Sequence, residues 1–272
     1  MSDPIKPVGR RTKAAVTFID DQLKVGRVGF PLAQLMAATG LSLEAAKSQL
    51  RRLGNRVVRV SPAQAFFLIV TPENQATGAP PVDWWLDDYF TWLEHPYYLA
   101  LQSAASVLGA NPQAIQVTQV MTDAPRRPIE LGRLKMVFFV KRGIAGTPTQ
   151  PLPNAFAPTR VSTPAVTVFD LVRYAPRIGG IGRAIETIRP LLPTIDVADL
   201  RATLAAENEI ATTQRLGYIL EKTGQARLAG VIEDWLPGKR PITPLVSRPT
   251  RPEDGPLVPR WRVVDNSGEF NP

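Results

Sequence analysis

The 272-residue sequence contains no cysteine and a single histidine, His95. Without thiols there is no disulfide framework, no thiolate zinc site and no cysteine nucleophile, so the apolar core alone must hold the chain. One imidazole makes a metal site only with carboxylates. This one lies between Glu94 and Pro96 at an expected helix end, where a capping or structural role outweighs general-base work. Long apolar runs are missing too: the longest, Ala65 to Val70, is far short of the ~20 residues a membrane helix needs. The opening residues, MSDPIKPVGRRTKAAV, lack the apolar stretch of a secretory signal. The expectation is a soluble, cytoplasmic protein with no cofactor, no metal and no membrane partner.

What the sequence does contain is positive charge, and it is concentrated. Of the net +8, residues 1–72 carry +7, with 11 Lys and Arg against 4 Asp and Glu; residues 73–272 carry +1, with 21 against 20. A basic balance gathered into one small segment is the footprint of a polyanion-binding module, because neutralising phosphates releases condensed counterions. With 44% hydrophobic residues the chain can bury real cores, and its length suits two domains at ~100–200 residues each. The boundary is expected in PENQATGAPPVDW, residues 72–84, where periodicity is lost and Pro, Gly and Ala gather. That gives domains at 1–75 and 84–272.

The first domain reads as a helix from about Arg11 to Lys24, a short extended stretch at Val28 to Phe30, and a second helix from Pro31 to Thr39. A turn at Gly40, a third helix from Leu43 to Leu53 and a hairpin pairing RVVRV with AFFLIV across SPAQ complete it. This is winged helix-turn-helix order. In the third helix, SLEAAKSQLRRL, the residues Leu43, Ala46, Leu50 and Leu53 fall within an arc of about 80° at ~100° per residue, a narrow apolar stripe. Ser42 is placed to cap the helix, and Glu44 suits its dipole. On the remaining surface Ser48 is small enough to let the backbone approach base edges, while Lys47, Arg51 and Arg52 can reach phosphates or guanine. Arg56 and Arg59 flank the wing's first strand, where phosphate contact is the usual role. The expected DNA-binding set is therefore Ser42, Lys47, Ser48, Arg51, Arg52, Arg56 and Arg59. Alone, such a helix reads as solvated surface; the preceding helix, the glycine turn, the hairpin and the local charge turn the reading toward DNA. Arg10, Arg11 and Lys13 add a basic lead into the first helix.

The second domain opens on WWLDDYFTWLEH, an aromatic helix within a stretch, 73–94, that holds five acids and no base. YYLALQSAASVLG follows as an apolar helix stopped by Gly109. Strands are expected at AIQVTQVM and LKMVFFVK, then a Pro- and Gly-rich loop from Gly143 to Pro158. Helical patterns run from Thr163 to Leu236, with Thr163 as N-cap and Pro164 at the first helical position. Seven prolines between Pro237 and Pro259 require an extended tail, and WRVVDN at 261–266 suits a last strand. Runs of both elements without strict alternation place the whole in the mixed α+β class.

Catalysis has little to stand on, and no catalytic residue is assigned. Asp87 with Asp88, and Glu207 with Glu209, read as solvated faces. Gly179, Gly180 and Gly182 follow RYAPRI rather than a strand, so they read as a turn between helices and not as a nucleotide loop. A metal-dependent nuclease needs an acid with a Glu-x-Lys-like strand, and neither 116–122 nor 134–141 supplies that pairing. The expectation is a protein that is not an enzyme.

Five segments in order resemble the AbiEi family, the antitoxins of type IV toxin-antitoxin (abortive-infection, phage-defence) systems: PYYLALQSAASVLGA, QVTQVMTDAPRRPIELGRLKMVFFVKR, STPAVTVFDLVRY, QRLGYILEKTG, and the tail from PLVSRP through PRWRVVDN. The bottom-up reading of the same residues is structural, with Tyr97, Tyr98, Leu101, Ala104, Ala105, Leu108, Phe169, Leu171 and Val172 as core. Asp170 and Arg173 are the polar members, expected to form salt bridges. One departure stands out: relatives commonly carry an acid just after the Thr-Pro pair, where this chain has Ala165. The resemblance implies an N-terminal module that binds inverted repeats of double-stranded DNA in its own promoter as an autorepressor. It also implies a C-terminal domain that counteracts a toxin of the nucleotidyltransferase class, with or without a stable complex, in a protein that is monomeric in solution or dimeric on DNA. The competing reading is a winged-helix regulator whose second domain senses a ligand or dimerises, with no toxin partner.

Overall fold

The computed structural model describes residues 13–110, 116–152, 155–247 and 255–270. Arg10 and Arg11 of the basic lead, and the start of the expected strand at Ala114, lie outside these residues. The chain is α+β.

The first elements are α1 (Ala14–Lys24), β1 (Gly29–Pro31), α2 (Leu32–Thr39), α3 (Leu43–Arg52), β2 (Val57–Ser61) and β3 (Gln64–Ile69). Gly40 closes α2 in the left-handed region at φ 65°, which a glycine adopts without steric cost, and so permits the tight entry to α3. The hairpin registers Val57 on Ile69 and Ser61 on Gln64, so its turn is shorter than the four residues expected. β3 is the central strand, in the order β1-β3-β2.

AFFLIV is apolar without alternation because both faces of this sheet are covered. Ile69 joins Phe18, Ile19, Leu35 and Leu50 in the core under the three helices, with Phe67 packed against it. Phe66 and Leu68, one residue out of phase, point the other way and join Trp85, Leu86, Tyr89 and Phe90. The Phe66 ring meets Tyr89 edge-on at 5.3 Å. That second layer belongs to α4 (Leu86–Leu93), the expected aromatic helix. The segment between β3 and α4 is also tied down: Thr77 O accepts from Arg133 N at 2.9 Å.

After α4 come β4 (Tyr97–Leu99), α5 (Leu101–Val107), β5 (Val117–Thr122), β6 (Ile129–Leu131), β7 (Leu134–Val140), β8 (Thr149–Pro151) and β9 (Arg160–Ser162). They form a mixed sheet in the order β6-β7-β5-β4-β9-β8. Three expectations need correcting. Tyr97 to Leu99 is a strand inside the sheet, antiparallel to β5 and parallel to β9, rather than the first turn of a helix. A short, fully buried apolar run carries no periodicity that separates strand from helix, and partners 23 and 62 residues downstream decide it. β6 and β8, read as connecting loops, are edge strands whose prolines and charges hid them.

This sheet too is covered twice. Leu99, Val120, Met136 and Phe138 face α4, whereas Tyr98, Met121 and Phe139 face a helical layer. That layer is α6 (Pro164–Arg173), α7 (Gly180–Ile188), α8 (Val197–Glu207), α9 (Ile210–Lys222) and α10 (Ala226–Trp235). Thr163 caps α6 as expected, its hydroxyl accepting from Val166 N at 3.4 Å. Ala165 through Val172 are all buried, so α6 is the central helix of the layer.

The tail adds β10 (Thr243–Pro244), β11 (Leu257–Val258) and β12 (Val263–Val264), so WRVVDN does carry a strand, though a shorter one. Trp261 anchors it. The indole is fully buried against Gly217 of α9, where a Cβ would fall inside the ring's van der Waals envelope. Gln214 Nε2 donates to Trp261 O at 2.8 Å and to Pro241 O at 2.9 Å, while the indole N–H donates to Glu221. Gly217→Ala should therefore push Trp261 off α9 and cost about 1–3 kcal/mol, the usual range for overpacking. A lowered melting temperature with a red-shifted tryptophan emission is the expected reading; an unchanged melting curve would refute the anchor.

Candidate functional site

The basic face is organised by α3. Ser42 Oγ accepts from Ala45 N at 3.3 Å, satisfying one of the amides left open at the start of α3. The buried face of the helix is Ala46, Gln49 and Leu50. This corrects the expected stripe: Leu43 is 42% exposed and Leu53 only half-buried, while Gln49 is inside. The cause is polar. α1 begins with an amide that needs an acceptor, and Gln49 Oε1 takes it from Ala15 N at 2.9 Å.

That rotation leaves Lys47, Arg51 and Arg52 exposed and Ser48 half-buried. Lys47 lies 3.8 Å from Glu44, whose side chain is 85% exposed, a surface pair worth little. Arg51 and Arg52 form no ion pair among the described residues. Arg56 reaches back to Asp20 of α1 at 3.6 Å. Arg59 is held on the hairpin by Nε donating to Gln64 O at 2.7 Å, with its guanidinium 6.0 Å from the Phe67 centroid.

Of the seven expected contact residues, three converge. Lys47, Arg51 and Arg59 line a groove of about 700 Å³ between α3 and the hairpin, floored by Leu43, Val57 and Phe67 among others. Ser42, Ser48, Arg52 and Arg56 do not line it. Its apolar lining was assigned elsewhere from the sequence, Leu43 and Leu50 to the core stripe and Val57, Ala65 and Phe67 to the hairpin.

A buried ionic cluster lies between β7, α6 and α8. Asp170, fully buried on α6, accepts from Tyr98 Oη at 2.8 Å and meets Lys141 Nζ at 3.1 Å. Lys141, 1% exposed, also donates to Tyr98 Oη at 3.0 Å and pairs with Glu207. Arg173 bridges Glu207 and Glu209, each at 3.0 Å. The expected salt bridging of Asp170 and Arg173 is thus what the structure has, but Glu207 is not on a solvated face: its side chain is 3% exposed. Burial raises its carboxyl above the ordinary range, against the pull of Lys141. Burial, and then the charge of Asp170, raise the Tyr98 phenol well above its usual value.

Tyr98 and Thr147 form the wall between this cluster and an open cleft of about 490 Å³ near the end of α4, where Asp87, His95 and Arg160 also lie. His95 Nδ1 sits 2.7 Å from Asp123 Oδ1. Burial alone would raise the Asp123 carboxyl, but the hydrogen bond and charge of His95 hold it below its ordinary value. Ala165, just after the Thr163-Pro164 pair, has its amide N donating to Asp199 Oδ2 at 3.0 Å, so α8 brings a carboxylate to the start of α6. Among the described residues no group of three or more His, Asp or Glu side chains is placed to hold a metal ion, and no helix is long and apolar enough to cross a membrane.

Residues 98–222 match the family model of the AbiEi antitoxin C-terminal domain. The crystal structure of the RV2827C protein from Mycobacterium tuberculosis is similar in fold, with a TM-score of 0.66 at 15% identity, over 93% of this chain and 91% of that one. No curated protein matches the chain.

Proposed function

We propose that the chain is an antitoxin of a type IV toxin-antitoxin system that represses its own operon. Residues 13–70 would act as a winged helix-turn-helix on inverted repeats in the promoter, and the domain from about residue 84 would counteract a nucleotidyltransferase-class toxin. The observation that carries the antitoxin half is the family match over 98–222. The DNA half rests on α3: a capped helix whose exposed cations, Lys47, Arg51 and Arg52, stand beside a hairpin carrying Arg59. Nearly all the net positive charge lies on the same segment. Cations clustered on one face cost self-repulsion, and a polyanion relieves it.

The test is a salt titration of the full chain on a fragment of its own promoter. With ~4–6 phosphates neutralised per module, log affinity should fall against log salt with a slope of about −4 to −5. A flat response would mean that the basic face meets something other than nucleic acid. Co-expression with the neighbouring toxin gene tests the second half: rescue of growth by the full chain carrying Arg51→Ala and Arg52→Ala is expected, and absence of rescue by the unaltered chain would exclude the antitoxin role.

A further inference from the structure

The groove between α3 and the hairpin offers more than a phosphate seat needs. A sugar–phosphate backbone calls for cations; it does not call for an apolar basin of about 700 Å³. Small-molecule sites are typically ~300–1,000 Å³, mostly apolar, with a few converging polar groups. Here Leu43, 42% exposed, and Phe67, stacked on Phe30 at 5.9 Å, supply the apolar surface. Lys47, Arg51 and Arg59 are the converging groups, and no carboxylate lines the groove. Arg59 is fixed in place by its bond to Gln64 O and its position over the Phe67 ring.

Charge and apolarity together select the occupant. A bare phosphate would leave the floor hydrated, a neutral apolar molecule would leave Arg51 and Arg59 without an anion and Lys47 with only the exposed Glu44, 3.8 Å away, and an apolar cation would be repelled. We infer that this groove binds a small amphiphilic anion, a carboxylate on an aliphatic or aryl body, and that its occupancy releases DNA. Lys47, Arg51 and Arg59 cannot serve a bound carboxylate and a phosphate backbone at once, so the two ligands are linked with opposite sign. The regulatory half rests on the DNA-binding reading above; the site itself does not.

The probe is decanoate, kept below its micellar concentration and titrated calorimetrically into the full chain. Decyltrimethylammonium and inorganic phosphate serve as controls. Decanoate should bind about tenfold or more tighter than either control. Leu43→Glu, which places an acid on an already exposed position, and Ala65→Trp, which fills the groove, should each weaken it by about the same factor. Equal affinity for the two decyl amphiphiles, or unaltered decanoate binding in both variants, would overturn the site. In a second arm decanoate should displace a labelled promoter fragment at concentrations that track the calorimetric Kd; a chain that holds both ligands together would overturn the linkage. A chain that binds decanoate as described yet ignores every promoter fragment would uphold the site and remove only the DNA reading.

Discussion

Lys141→Met should lower the unfolding free energy by about 3–5 kcal/mol, because it leaves two buried carboxylates without the cation that sits between them. Asp170 and Glu207 have side-chain exposures of 0% and 3%, so water cannot replace the lysine. Tyr98 Oη can still donate to Asp170, but Glu207 keeps only Arg173 and a long bond from Thr147 at 3.4 Å. With ~1–3 kcal/mol per molar urea as a typical slope, the midpoint should fall by about 1–5 M. Adding Glu207→Gln removes one of the two stranded charges and should recover part of the loss. An unchanged midpoint in the single variant would show that the cluster is neutralised by protonation instead. Since α6 is the central helix of the helical layer, the effect should reach the whole layer rather than one end of it.

The cluster also marks where the sequence could be read and where it could not. Asp170 stood out because it interrupts an otherwise apolar helix, and a buried acid there needs a partner. The partner was legible in principle: Lys141 has the same parity as Val137 and Phe139, which face the helices, so it had to point into that layer. Glu207 gave no local signal. It ends α8, 66 residues beyond Lys141, and only the packing of α8 on α6 brings them together. The same division holds elsewhere. Capping by Ser42 and Thr163 and the turn at Gly40 follow from neighbouring residues and were readable. The strand at Tyr97–Leu99 and the inward turn of Gln49 depend on partners distant in sequence, and neither was. In the basic face the residue types were legible, but not which three would share a groove, because that depends on the angle between α3 and the hairpin.

Arg51→Ala with Arg52→Ala should remove specific promoter binding while sparing the fold. Both side chains are exposed, and neither holds an ion pair among the described residues, so little native structure is lost. If each arginine reads a guanine edge, each substitution costs about 1–3 kcal/mol, and the double variant loses about 10²-fold or more in affinity. The two are not equivalent. Arg51 lines the groove with Lys47 and Arg59, whereas Arg52 lies outside it. Arg52→Ala should therefore weaken promoter binding and leave decanoate binding intact, while Arg51→Ala should weaken both. Arg56→Ala provides the contrast: its partner is Asp20 at 3.6 Å, so its loss should touch affinity least of the four arginines Arg51, Arg52, Arg56 and Arg59. Fluorescence anisotropy on promoter and scrambled fragments separates the outcomes. A parallel loss on both fragments would make Arg51 and Arg52 phosphate contacts; a loss confined to the promoter makes them base readers; and unaltered affinity on both would remove α3 from the interface.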